Sequence, residues 1–146
     1  MKFSTRTEVN TPVEDAFAAF ADFDTFARLA EARGARMERL PGEVFAWRAR
    51  FEWNGAAREV KGDIVRFEPP RGYAAAMIAG GLEGDLEVEV TPLSAGRSQV
   101  RVAMEWRPLT MSARVLLKSL KLVKGRLDAR FAARVDEYAA RIGTRS

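Results

Sequence analysis

Hydrophobic and polar side chains alternate along most of this chain, and in two places the repeat lengthens from two residues to three or four. Lys2–Val9 opens with Phe3, Thr5, Thr7 and Val9 on one side and Ser4, Arg6 and Glu8 on the other, the mark of a half-buried strand. "NTPVEDAFAAFADFD" then switches to a helical pattern with Val13, Phe17, Phe20 and Phe23 apolar. Thr11 is placed to cap this helix, Pro12 suits its first turn, and Glu14 lies three residues beyond the cap. Asp22 or Asp24 can cap a second short helical stretch through Phe26 and Leu29, which Gly34 ends.

Strands follow. "ARMERL" reads as a short one, and "VFAWRARFEW" alternates most clearly, with Phe45, Trp47, Ala49, Phe51 and Trp53 sharing a face. Asn54-Gly55 is a strong hairpin signal because both residues tolerate positive φ. The returning strand runs to about Phe67 and stops at "EPPRG", where two prolines cannot donate to a ladder. Tyr73–Ala79, "DLEVEV" and "QVRVAMEW" supply three more strands, separated by turns around Gly80-Gly81 and "SAGR". From about Thr110 to Ile142 the repeat is helical again, through Leu116, Leu120, Val123, Leu127, Phe131, Val135 and Tyr138. One helix of about 30 residues would be some 45 Å long and must cross the whole sheet.

The order is strand, helix pair, six strands, long helix. Nearly every strand has one polar face, as in an antiparallel sheet with one solvated side. Burying the other face requires the sheet to curve around the long helix. Aromatic side chains on the sheet against small and aliphatic ones on the helix leave room for a cavity. The expected fold class is α+β, with six or seven antiparallel strands, and the 146 residues are expected to form one domain, 1–146.

Composition removes much chemistry from consideration. The chain has no Cys and no His, so disulfides, cysteine nucleophiles, Ser–His hydrolysis and His-ligated metal sites are excluded. Any catalysis falls to carboxylates, Lys, Arg, Tyr or water, which favours binding. No apolar run approaches the roughly 20 residues of a membrane span, and "MKFSTRTEVN" has no apolar signal core. The expectation is a cytoplasmic protein with no cofactor, no nucleic-acid partner and no stable membrane insertion; the sequence leaves oligomeric state open. Residues 107–146 carry 10 basic and 3 acidic side chains, +7, against −3 for the 14 basic and 17 acidic of residues 1–106. That asymmetry reads as a solvated helix face, with contact to an anionic surface as the alternative.

The candidate ligand-binding residues are Phe45, Trp47, Phe51, Tyr73, Met77, Met104, Trp106, Leu120, Lys124 and Leu127. Each aromatic taken alone is as well explained by core packing; as a group they would wall any cavity. Lys124 falls within the apolar stripe of the last helix. Its ammonium either snorkels outward along its stem or points inward to meet an acidic ligand group. "AGGLEGD" lacks the Lys-Ser or Lys-Thr of a phosphate loop and is better read as a turn.

This order of elements resembles the START-like, or SRPBCC, superfamily, whose helix-grip fold wraps a seven-stranded antiparallel sheet around a C-terminal helix. "TPVEDAFAAFADFD" after the first strand and "FEPPRGY" between central strands carry the local likeness. The chain is most similar to the polyketide cyclase/dehydrase-like and carbon-monoxide-dehydrogenase-like bacterial members. The resemblance implies a cavity for a small hydrophobic ligand such as a lipid, isoprenoid or polyketide-like compound. Three functions follow: a binding module, a cyclase or dehydratase helped by Tyr73 or Lys124, and an assembly factor docking through its basic C-terminal helix.

Overall fold

The computed structural model describes residues 1–53 and 55–143. Its chain order is β1 (Lys2–Val9), α1 (Val13–Phe20), α2 (Phe23–Ala32), β2 (Arg36–Leu40), β3 (Ala46–Trp53), β4 (Ala56–Glu68), β5 (Gly72–Ala79), β6 (Leu82–Ser94), β7 (Arg97–Pro108), α3 (Met111–Lys121) and α4 (Lys124–Gly143). The seven strands form one antiparallel sheet in the order β1-β7-β6-β5-β4-β3-β2. β2 to β7 is a meander, and β1 closes onto β7. Consecutive strands β1 and β2 therefore sit at opposite edges, so α1 and α2 must carry the chain across the sheet. This is the helix-grip α+β arrangement.

Register explains which side chains meet. Phe3, Met104, Leu86, Ala75 and Ile64 lie in one cross-strand row facing the helices. The neighbouring row on the opposite face reads Glu38, Arg48, Lys61, Ile78, Glu83 and Arg107. Arg48 pairs there with Glu38 at 2.9 Å and Glu59 at 2.6 Å, and Arg107 reaches Glu83, Asp85 and Glu105. Such exposed pairs each contribute at most about 1 kcal/mol; their main effect is to keep this face wet. A bulge at Val65 lets Ile64 and Phe67 both face inward and leaves Val65 exposed.

Several sequence expectations shift by a residue or a turn. Pro12, not Thr11, takes the N-cap of α1, and no side chain caps it; the Thr11 carbonyl instead accepts from buried Ser98 Oγ at 2.9 Å, tying the helix entry to β7. Asp22 does cap α2, accepting from Thr25 N. Asn54 lies outside the described residues, while Gly55 has φ +75° as a tight hairpin requires. Gly84 belongs to β6 rather than to a turn.

The larger correction concerns the C-terminal helix. The continuous helix expected over Thr110–Ile142 is broken at Leu122-Val123, where i→i−3 bonds from Leu122 to Ser119 and from Val123 to Leu120 tighten the chain. Lys118, Lys121 and Lys124 repel at three-residue spacing here, and Gly125 follows. α4 packs against β1, whereas α3 packs on β7 and leaves Met111, Val115 and Leu122 exposed.

Candidate functional site

The concave face is solid at one end and hollow at the other. At the solid end, Val9, Ala16, Phe17, Phe20, Val90 and Val100 are buried together, and the Phe17 ring lies 5.5 Å from Phe67 and 6.3 Å from Tyr73. Beyond Tyr73, the sheet curves away from α2 and α4 around a cavity of about 770 Å³ that opens to solvent.

Three elements build its wall. The sheet contributes Phe3, Met37, Phe45, Trp47, Ala49, Ile64, Tyr73, Leu86, Val88, Val102 and Met104. From α2 come Phe23, Phe26, Ala27, Leu29 and Ala30, at the three- and four-residue spacing of one helix face. From α4 come Leu127, Phe131, Val135 and Tyr138 on the same principle. Ring contacts stiffen this wall: Phe23 stacks on Phe45 at 5.2 Å and meets Tyr73 edge-on at 5.1 Å, and Phe26 lies 4.8 Å from Tyr138.

The two tyrosines are polar only in name. Tyr73 donates its hydroxyl to the Phe20 carbonyl at 2.6 Å, and Tyr138 donates to the Ala19 carbonyl. Both satisfy backbone acceptors that the C-terminus of α1 leaves orphaned. Burial pushes the Tyr73 phenol well above the ordinary tyrosine range, so it stays neutral. Charge enters at the rim: Arg33 from the end of α2, and Arg130, Arg134, Glu137 and Arg141 from α4. No group of His, Cys, Asp and Glu able to hold a metal occurs among the described residues.

Of the ten residues singled out in sequence, Phe45, Trp47, Tyr73, Met104 and Leu127 line the cavity. The other five do not. Phe51 shares the face of Trp47 and Ala49 but stands toward the hairpin tip, pairing with Arg58. Met77 and Trp106 belong to the row Trp47–Gly62–Met77–Gly84–Trp106, beside the cavity. Each tryptophan ring there lies against a glycine: a Cβ on Gly62 would come within 2.1 Å of Trp47, and one on Gly84 within 2.6 Å of Trp106. Leu120 is on α3, turned aside by the helix break.

Lys124 is also outside. Its Nζ meets Asp128 at 2.5 Å and sits 4.7 Å from the centre of the Phe3 ring, so the ammonium is already paired and does not line the cavity, whereas Phe3 does. The inward reading of Lys124 is thereby corrected. Sequence reasoning missed the cavity-facing role of Phe23, Phe26 and Leu29, and of Phe131 and Arg130. Their helical spacing was visible, but spacing alone does not distinguish a face against side chains from a face against space.

A curved sheet closed by two helices over an apolar hollow defines a helix-grip protein of the START-like class. A family model described as polyketide cyclase/dehydrase and lipid transport matches residues 1–142, and the chain belongs to that family. Solved structures with the same fold include the Zhui aromatase/cyclase from Streptomyces sp. R1128, with TM-score 0.75 and 12% identity over 97% of this chain and 93% of that one. Norcoclaurine synthase from Thalictrum flavum, in complex with dopamine and hydroxybenzaldehyde, has TM-score 0.67 and 14% identity over 100% and 88%. A conserved protein from Geobacillus kaustophilus has TM-score 0.68 and 16% identity over 97% and 96%. No curated protein matches the chain in sequence. Among the described residues, no helix is long and apolar enough to cross a membrane.

Proposed function

We propose that the protein binds a small hydrophobic molecule, of the lipid, isoprenoid or polyketide-like kind, in the hollow between sheet, α2 and α4. The observation that carries this reading is the cavity itself: about 770 Å³, walled by aromatic and aliphatic side chains, with charge only at its rim. A hollow of this size is costly to leave empty, since interiors otherwise reach the density of organic crystals. Family membership and the ligands bound by norcoclaurine synthase point the same way.

A cyclase reading draws on the likeness to the aromatase/cyclase, with shape alone holding a flexible substrate in a reactive fold. It is the weaker of the two. General acid–base help would have to come from a group free to exchange a proton, and both tyrosine hydroxyls are committed to carbonyls. The remaining carboxylate of the lining, Glu137, stands at the rim between Arg33 and Arg134.

The test is uptake of Nile red by the purified protein, read by dye emission and by quenching of tryptophan, with native mass spectrometry and extraction to identify any retained molecule. Dye uptake by wild type, reduced roughly tenfold by Leu127→Trp, is the expected result, equivalent to about 1.4 kcal/mol of lost binding. Leu127 replaces Leu120 as the position to fill, because Leu120 does not reach the cavity. A wild-type protein that takes up no dye and carries no extractable molecule overturns the reading.

A further inference from the structure

The cavity mouth is electrically one-sided. Four guanidinium groups, Arg33, Arg130, Arg134 and Arg141, stand against one carboxylate, Glu137, among the described lining residues. Arg130, Arg134, Glu137 and Arg141 recur at four-, three- and four-residue spacing, so they form a charged stripe beside the apolar stripe of Leu127, Phe131, Val135 and Tyr138 on the same helix. Glu137 is contacted by Arg33 at 3.9 Å and by Arg134 at 3.7 Å, and no ion pair to Arg130 forms among the described residues. The other acidic residues of α4 are not part of the mouth: Asp128 is held by Lys124, and Asp136 does not line the cavity. Arg33 ends α2, where it also offsets the negative end of that helix.

We propose that this mouth recognises an anionic head group, so that the ligand is an amphiphile with an apolar tail inside and a carboxylate at the rim. The inference rests on the hydrophobic-ligand reading above and adds a charge to it. Arginine suits the role because its planar fork offers paired donors to a carboxylate and cannot lose its proton. Tail burial supplies most of the affinity, and the rim supplies discrimination. A ligand carrying a cationic head meets a mouth with four positive charges against one negative and is disfavoured by the same groups.

Dodecanoate, its methyl ester and dodecylamine share one tail and differ in head charge. Binding of each to the full chain is measured by calorimetry at neutral pH and low salt, beside inorganic phosphate without a tail. Wild type is expected to bind dodecanoate about three- to tenfold more tightly than the ester, with the amine weakest and phosphate alone not detected. The preference should shrink as salt rises and screens the exposed guanidiniums over a Debye length of about 10 Å at 0.1 M. Arg130→Gln with Arg134→Gln should erase the preference while leaving ester affinity unchanged, and Arg130→Lys in place of Arg130→Gln should restore part of it. Equal affinities for acid and ester overturn the head-group proposal alone and leave the arginines as a solvated helix face. So does a preference that survives the double substitution, or phosphate binding as tight as that of dodecanoate. Failure of acid and ester alike, by contrast, strikes the hydrophobic-ligand reading on which the proposal rests.

Discussion

α1 and α2 are consecutive helices, both amphipathic, both laid on the same face of the same sheet, yet only one is a core helix. α1 buries Ala16, Phe17 and Phe20; α2 buries no residue to that degree, although it carries Phe23, Phe26 and Leu29 on one face. The difference lies opposite them. α1 packs on β6 and β7, where Val88, Val90 and Val100 point up to meet it. α2 leans on the short edge strand β2 and faces the hollow. Two stripes of similar apolarity therefore act differently: one stabilises the fold, and the other keeps a wall that is not yet covered. A ligand would complete for α2 what β6 and β7 complete for α1.

The largest expected effect separates the two helices directly. Phe17→Ala deletes a ring packed on Phe67 and Tyr73 and should cost about 3–5 kcal/mol in urea unfolding. Phe26→Ala removes a ring that already borders open space, with fewer contacts to lose, and should cost no more than about 1–2 kcal/mol. Losses of equal size would end the distinction between core helix and cavity wall.

Next in size is the seam where α1 hands over to α2. Tyr73→Phe leaves the buried Phe20 carbonyl without its donor and should cost roughly 1–3 kcal/mol. The phenol also predicts an alkaline limb. Because burial raises its folded pKa above the ordinary value of 10.0, its contribution is full below about pH 10 and is lost as pH climbs toward the folded value. Tyr73→Phe should flatten that limb. An unfolding curve with the same alkaline slope in both proteins would show that Tyr73 is not the group responsible.

The sheet was more legible in the sequence than the site. Alternation in residues 45–53 and 99–106 set which side chains point inward, because a strand admits only two faces. The break at Leu122-Val123 was harder to see: Leu116, Leu120, Val123 and Leu127 keep helical spacing straight through it, and only the crowding of lysines and Gly125 marked a weakness. The places of Met77 and Trp106 depended on Gly62 and Gly84, far apart in sequence but paired with the same methionine in the sheet. Glycines in strands signal a close approach, but what approaches is decided by register. Lys124 misled for a similar reason, since its partner Asp128 is one helical turn along and the ring it covers, Phe3, comes from the other end of the chain.

The smallest effect tests whether α2 can loosen without α1. Asp22 caps α2, accepting from Thr25 N at 3.2 Å and from the Thr25 hydroxyl at 2.7 Å. The side-chain bond to Thr25, then the backbone one, hold the Asp22 carboxyl below its ordinary value of 3.8. A depressed folded pKa means the cap contributes fully above that ordinary value and fades as pH falls through the folded one. Asp22→Ala should cost about 0.5–2 kcal/mol at neutral pH, while Asp22→Asn keeps an acceptor and should cost less. Neither variant should show the part of the acid limb that belongs to Asp22. Hydrogen exchange gives the sharper reading: in Asp22→Ala the amides of α2 should exchange faster while those of α1, anchored by Phe17 and Phe20, stay as in wild type. Equal acceleration in both helices would mean that they open as one unit and that the wall of the cavity is as firmly held as the core beside it.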